Sequence, residues 1–480
     1  MPTPSDTRHE TPYIALGPFK VRLPFIHYKF ELPDYLQGLL MCAVDLAAIP
    51  LMTEFLGMPF EMALAVVMLN GLLYLAHHLL GDPVVPGWIT PAVPLLAYCA
   101  QFPVGPERVH ALIAFQLMLG VFSIALGATG MARKVVGFVP SAIKSGIIVG
   151  AGLSAVTAVF QVGGKFDSFP WTISIAIGIA FYLIFSQHFA QLKLRNRFWW
   201  NFAKLGILPI ILLAVVLAPL FGEAPWPTIQ WGLSKPDFIG LWNNYTVFGL
   251  GMPPLSMFIS ALPTMLAVYI IVFGDVLSAK VLLDEAEQIR TDEKVDYDPD
   301  RSHLIFGGRN AFMSIFGPDI AMCGPKWAAM LVVVIERFKG GPKAMKSIYG
   351  GMGSFRWGTN TGLLLLPVVT LVQPILGVAL ALTLLIQGYV SVRLGILEAR
   401  SQRDLGIAGV IGAVLAIKGA SWGFAIGVVL CLLIYGKNFF KGENDRTFSK
   451  DLGAADATAV PGAQPGPQAK PARAVESEVA

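Results

Sequence analysis

Long apolar runs separated by short polar stretches set the pattern of this chain. "MALAVVMLNGLLYLA", "ALIAFQLMLGVFSIALGATGM", "LGILPIILLAVVLAPLFG" and "GIAGVIGAVLAIKGASWGFAIGVVLCLLIYG" carry almost no charge. A helix needs about 20 mostly apolar residues to cross a bilayer. Runs of that kind predict about twelve full spans and two shorter, interrupted ones, an all-α polytopic membrane protein.

The two interrupted segments break the pattern in the same way. "GDPVVPGWITPAVPLLAYC" (81–99) places four prolines within one span, and "FGPDIAMCGPKWAAML" (316–331) places two Gly-Pro pairs, an Asp and a Lys within another. Proline removes a backbone hydrogen bond and blocks the preceding turn. Such breaks occur at membrane depth where the freed backbone is buried in protein or lines a watery cavity. A helix that starts midway across the bilayer points bare N–H groups and the positive end of its dipole into that cavity. One such segment in each half of a chain is a mark of secondary transporters. The bland alternative is a pair of ordinary proline kinks.

Composition agrees with a membrane protein: 55% of the 480 residues are hydrophobic, 14% are charged, and mean hydropathy is +0.64. The net charge of +4 matters less than its placement. Lys and Arg gather in "MARKVVGFVPSAIK", "QLKLRNRFWWNFAK", "ERFKGGPKAMK", "VRLGILEARSQR" and "KNFFK", while the intervening loops hold few. The positive-inside bias then puts these loops and both termini in the cytoplasm, which requires an even number of spans. The first thirty residues contain no apolar core of a signal peptide, so cleavage is not expected. From about Lys441 onward the composition is that of a disordered extension.

The chemistry of an enzyme is missing from the pattern. His9, His27, His77, His78, His110, His188 and His303 are scattered, and neither a phosphate-binding loop nor a nucleophile elbow occurs. Cys42, Cys99, Cys323 and Cys431 lie in apolar segments and read as packing residues. The charged stretch "LLDEAEQIRTDEKVDYDPDRSH" (282–303) reads as a solvated connector, since its spacing fits no calcium loop. No cofactor, no metal and no nucleic acid are expected. A small-molecule substrate, a coupling proton or cation and the lipid bilayer are.

Several stretches resemble the nucleobase–ascorbate transporter family, also called nucleobase–cation symporters. "YLQGLLMCAVDLAAIPLM" (35–52) is similar to that family's opening span and "GFVPSAIKSGIIVGAGLSAV" to its fifth. "VFGDVLSAK" is similar to the Gly-Asp element of its eighth. "RNAFMSIFGPDIAMCG" is similar to its ninth and tenth, and "SVRLGILEARSQRDLGIAGVIGAVLAI" to its twelfth-to-thirteenth connection. The matches run in order over most of residues 34 to 437. The resemblance implies about fourteen transmembrane segments as two inverted repeats of seven, with two half-helices. It also implies a core domain (about 34–134 with 254–370), a gate domain (about 135–253 with 371–437) and a homodimer. Residues 1–33 and 438–480 are then cytoplasmic extensions of a cell-membrane protein.

The departures from that family bear on substrate. The family's first-helix Gln-His pair is Gln37-Gly38, and the acid expected three positions before the Gly-Asp element is Ile271. Where the family shows Glu or Gln, Asn and Gly, this chain reads Gly324-Pro325-Lys326-Trp327. A Lys near the bilayer centre costs about 2.5–3.5 kcal/mol on insertion scales and survives when paired, wet or facing an anion. Sulfate-permease-type transporters, distantly related in architecture, carry a basic residue in a similar place.

The expected site therefore comprises Lys326, Trp327, Gly324, Asp275, Thr90 and Gln37 for substrate. Asp45 or Asp275 is expected to carry the coupling proton. Arg309 reads as a snorkelling residue, Asn310 as support for the break, and Gln373 as a lesser polar contact. The function expected is proton-coupled uptake of a small organic anion, a carboxylate or similar oxyanion, by alternating access. The alternatives are a proton-coupled nucleobase symporter and an uncoupled anion exchanger. The other reading of Lys326 is a structural ion pair with Asp275 or Asp319.

Overall fold

A computed structural model describes residues 9–89 and 99–436. The apolar runs fold as helices: α1 Leu32–Leu46, α2 Phe60–Leu79, α3 Pro106–Ala128, α4 Ser141–Phe160, α5 Leu255–Ile289, α6 Pro299–Phe316, α7 Ala328–Phe338, α8 Ile348–Leu364, α9 Leu376–Glu398, α10 Gln402–Lys418 and α11 Ala420–Tyr435. Local chemistry sets their ends. The Asp298, Ser347 and Ser401 side chains cap α6, α8 and α10 by accepting a backbone N–H of the first turn. Pro263 lies inside α5, whose parts Leu255–Leu266 and Val268–Ile289 meet at 42°.

Among the described residues, five helical stretches are long and apolar enough to cross a membrane. The number rises to eight if each of three bent pairs counts as one span. The chain is thus a multi-pass membrane protein, and the number fourteen stays an expectation.

Packing joins the first half of the chain to the second. α1 packs on α8, α3 on α6, and α4 on both α9 and α10. Two Gly-x-x-x-Gly pairs make the first and last of these contacts close. In "GTNTG" a Cβ on Gly358 would fall 2.1 Å from the Tyr35 carbonyl oxygen, and one on Gly362 2.3 Å from that of Leu39. In "GIIVG" Gly146 and Gly150 receive Ile411 and Leu415 of α10 in the same manner. Such small-residue seams let helix backbones approach where lipid provides no hydrophobic driving force.

The chain is not wholly α-helical. Strands β1 His9–Glu10, β2 Ile14–Leu16, β3 Phe19–Val21 and β4 Glu293–Lys294 form two small sheets, β1 parallel to β4 and β2 antiparallel to β3. The N-terminal segment bonds to the end of α2 through Lys20 N–H to Leu80 C=O and Arg22 N–H to Leu79 C=O. This corrects the reading of 282–303 as a solvated connector. Arg290, Glu293 and Arg301 in it are buried: Thr11 donates to Glu293 at 2.9 Å, Arg290 lies over the Phe338 ring and Arg301 pairs with Asp296 at 3.0 Å. Burial alone would raise the Asp296 carboxyl, but Lys20 and Arg301 beside it hold it below its ordinary value.

Candidate functional site

The two proline-broken segments meet. Gly87 and Gly324 form an antiparallel bridge, in which Gly324 N–H donates to Gly87 C=O at 2.8 Å. Ile89 N–H donates to Ala321 C=O at 3.2 Å, and Trp327 N–H to Val85 C=O at 2.6 Å. The approach requires glycine on both sides. A Cβ at Gly87 would lie 2.6 Å from Cβ of Trp327, and one at Gly324 would lie 2.6 Å from the Trp88 carbonyl oxygen. Met322, within the second break, takes a φ of 54°, a left-handed conformation that side chains with a Cβ rarely adopt.

Backbone groups freed by the breaks find side-chain partners. Asn310 of α6 donates to Cys323 C=O at 2.8 Å and accepts from Cys323 N–H at 3.0 Å. Asp319 accepts from Ala321 N–H at 2.9 Å and from Asn70 at 2.5 Å, while its own N–H donates to Gln116 at 3.1 Å. Arg309 donates to Asn70 at 2.9 Å and to Gly324 C=O at 3.2 Å, and lies 2.9 Å from His77, whose other ring nitrogen meets Asp82 at 2.8 Å. Arg309 is buried in this network, so the snorkelling expectation is corrected: its partners are Gly324 in the break and Asn70 and His77 of α2. Asn310 sits as expected, holding the break.

Beside the bridge is a cavity of about 20 Å³, room for about one water molecule. Asp45, Gly87, Trp88 and Trp327 line one side, and Leu380, Thr383 and Leu384 of α9 the other. Asp45 is paired with Arg356 of α8 at 3.2 Å. That guanidinium is fully buried, donates to Pro86 C=O in the first broken segment, and lies 3.8 Å from the Tyr74 ring centroid and 4.9 Å from that of Trp327. Trp327 is also the residue from which α7 starts. The half-helix therefore begins at the cavity wall. Asp45 and two indoles converge there, with Arg356 behind Asp45 and Trp327.

The other expected residues lie apart from the cavity wall. Lys326 turns to α5, where its Nζ donates to Ser278 Oγ at 2.5 Å and lies 3.5 Å from Asp275. Lys326 and Asp275 are thus brought together and are both buried. Gln37 donates to Lys204 C=O at 3.3 Å and accepts from Ile207 N–H at 3.4 Å, in a separate pocket. Gln373 is exposed. Thr90 lies outside the described residues. Arg356, Tyr74, His77, Trp88 and Thr383 were not foreseen. For Arg356 a signal existed: a cation inside the largely uncharged helix "IYGGMGSFRWGTNTGLL" needs an intramembrane partner.

No protein-family model matches the chain, and no curated protein matches it. Several solved structures resemble it distantly. The overall structure of SLC26A9 shares 16% identity at a TM-score of 0.47, over 84% of this chain and 65% of that one. The transmembrane domain of a cyanobacterium bicarbonate transporter, BicA, shares 17% at 0.45, over 85% of this chain and 97% of that one. Murine Solute Carrier 26 family member A9, an anion transporter in its inward-facing state, shares 15% at 0.43, over 85% and 68%. This chain spans 65% of the length of the first of them. All three scores lie below 0.5, so the likeness assigns neither family nor activity.

Proposed function

We propose that the protein is a secondary active transporter that carries a small organic anion of the carboxylate type together with a proton. The observation that carries this reading is Asp45 on the wall of the cavity beside the crossed segments, paired with Arg356 behind it. A proton taken up by Asp45 frees the Arg356 guanidinium, which then accepts the substrate carboxylate in its place. Proton and anion load together and leave together, so the buried site never holds an uncompensated charge. The N-terminus of α7 adds its dipole on the anion's side. Trp88 and Trp327 enclose the substrate's apolar part. Lys326 stays with Asp275 and Ser278 and fastens the second break to α5.

The cavity described here holds about one water, so substrate needs more room. Its far wall is α9, in the expected gate, and its near wall is in the expected core. Movement of one against the other opens it to each side in turn. A homodimer in the cell membrane with cytoplasmic termini follows from the family resemblance and the basic loops. A second reading rests on the two indoles, whose flat faces suit a nucleobase ring as well.

Uptake into proteoliposomes under an inward proton gradient tests both. Labelled mono- and dicarboxylates are expected to accumulate, and Asp45→Asn is expected to abolish the response to pH while leaving anion exchange. Accumulation of uracil or xanthine alone establishes the nucleobase reading. Unchanged pH-driven uptake in Asp45→Asn removes Asp45 as the proton carrier.

A further inference from the structure

The pocket that holds Gln37 is a different place from the crossover cavity. It has a volume of about 80 Å³ and lies between α1 and the end of α7 on one side and a basic helix pair on the other. That pair, Gln187–Arg195 and Arg197–Ala203, turns 59° away from the apolar helix before it and 77° from the apolar helix after it. Its sequence "QHFAQLKLRNRFWWNFAK" carries Lys193, Arg195, Arg197 and Lys204 and no acid. It also exposes Leu194 by 79% and Phe198 by 64%. Basic residues interleaved with exposed apolar ones, on helices turned off the axis of their neighbours, describe a segment lying along a membrane surface.

The pocket's charges leave two cations free for a ligand. Arg337 is tied to Glu31 and Asp34, and Glu336 is tied to Lys339 at 2.9 Å. Among the described residues, Lys193 has no acidic partner, and Lys204 donates only to the neutral Asn201 at 3.2 Å. The rest of the lining is largely apolar and includes Phe189 and Trp200. A hydrophilic anion suits two lysines but not those walls; an amphiphilic anion suits both. We propose that this pocket seats the phosphate headgroup of an anionic phospholipid taken from the surrounding bilayer, with Lys193 and Lys204 as its cationic partners. The acyl chains then run past Leu183, Ile184 and Phe189. This site stands independently of the transport reading.

Thermal unfolding of the full chain in a neutral detergent tests it, with phosphatidylglycerol, phosphatidylcholine or glycerol phosphate added. Phosphatidylglycerol alone is expected to raise the midpoint by a few degrees, less at high salt. The double variant Lys193→Gln/Lys204→Gln is expected to lose most of that rise while unfolding normally in phosphatidylcholine. Native mass spectrometry is expected to count one fewer retained phosphatidylglycerol in the same variant. An equal rise with phosphatidylcholine means a lipid annulus and overturns the proposal. So does a rise with glycerol phosphate, which means a soluble-anion site, or a rise and a lipid count unchanged in the double variant. Asp45→Asn should keep the full lipid response, which separates this site from the transport site.

Discussion

Arg356 and Asp45 face each other where almost no water reaches, at 0% and 2% exposure. Taking one partner of such a pair away strands the other's charge, at a cost of about 3–5 kcal/mol. Arg356→Met is therefore expected to lower the unfolding midpoint severely. Asp45→Asn/Arg356→Met, which leaves no stranded charge, is expected to recover part of the loss. Midpoints of the four proteins in detergent give the coupling; strict additivity would mean that the pair is not an interacting unit. The broken segments were legible because Pro and Gly act on the backbone next to them, and a reader of sequence sees that directly. Partner choice was not. Lys326 stands two residues from the crossing glycine, yet its side chain leaves toward Ser278 and Asp275, while Arg356, thirty-two positions from Gly324, supplies the cation beside the cavity. Which buried cation meets which acid is decided by helix crossings that lie far apart in the chain.

At the scale of elements, α1 and α8 meet through backbone rather than side chains, so the seam tolerates no added atoms. A methyl at Gly358 would press on the Tyr35 carbonyl and separate the two helices. Gly358→Ala should cost about 1–3 kcal/mol of stability. It should also impair uptake, since α1 carries Asp45 and α8 carries Arg356. The check is to measure midpoint and uptake together, and a variant indistinguishable from the parent in both would show that the seam can part freely. Helix existence was readable from the apolar runs, as was the presence of one break in each half. The small sheets were not, because two- and three-residue strands have no periodicity to read, and β1 and β4 lie nearly three hundred residues apart.

At the scale of the whole molecule, hydrogen bonds such as Ser234 to Leu363 C=O and Tyr245 to Gly57 C=O cross between the expected core and gate, and an ion pair crosses with them. That pair joins Glu285 at the end of α5, which also holds Lys339 of the core at 2.8 Å, to Arg393 of α9 at 3.0 Å. Arg393 and Glu285 are 40% and 26% exposed, so the tie is worth about 0–1 kcal/mol. That is too little to hold the fold and enough to shift a balance between two arrangements by up to about fivefold. Arg393→Ala is expected to change the rate of uptake within that factor while leaving the unfolding midpoint nearly still. A large fall in the midpoint would make the tie a part of the fold and not of its motion.

The crossing at Gly87 and Gly324 also constrains descent. Three backbone hydrogen bonds join Val85, Gly87 and Ile89 to Trp327, Gly324 and Ala321, and the membrane interior supplies no water to replace them. A side chain added at Gly87 would collide with Trp327, and one at Gly324 with the backbone of Trp88. A change in one segment then survives only with an answering change in the other. In kindred chains these two stretches, more than two hundred residues apart, should be inherited as one unit, with a mutation in either leaving its trace in both.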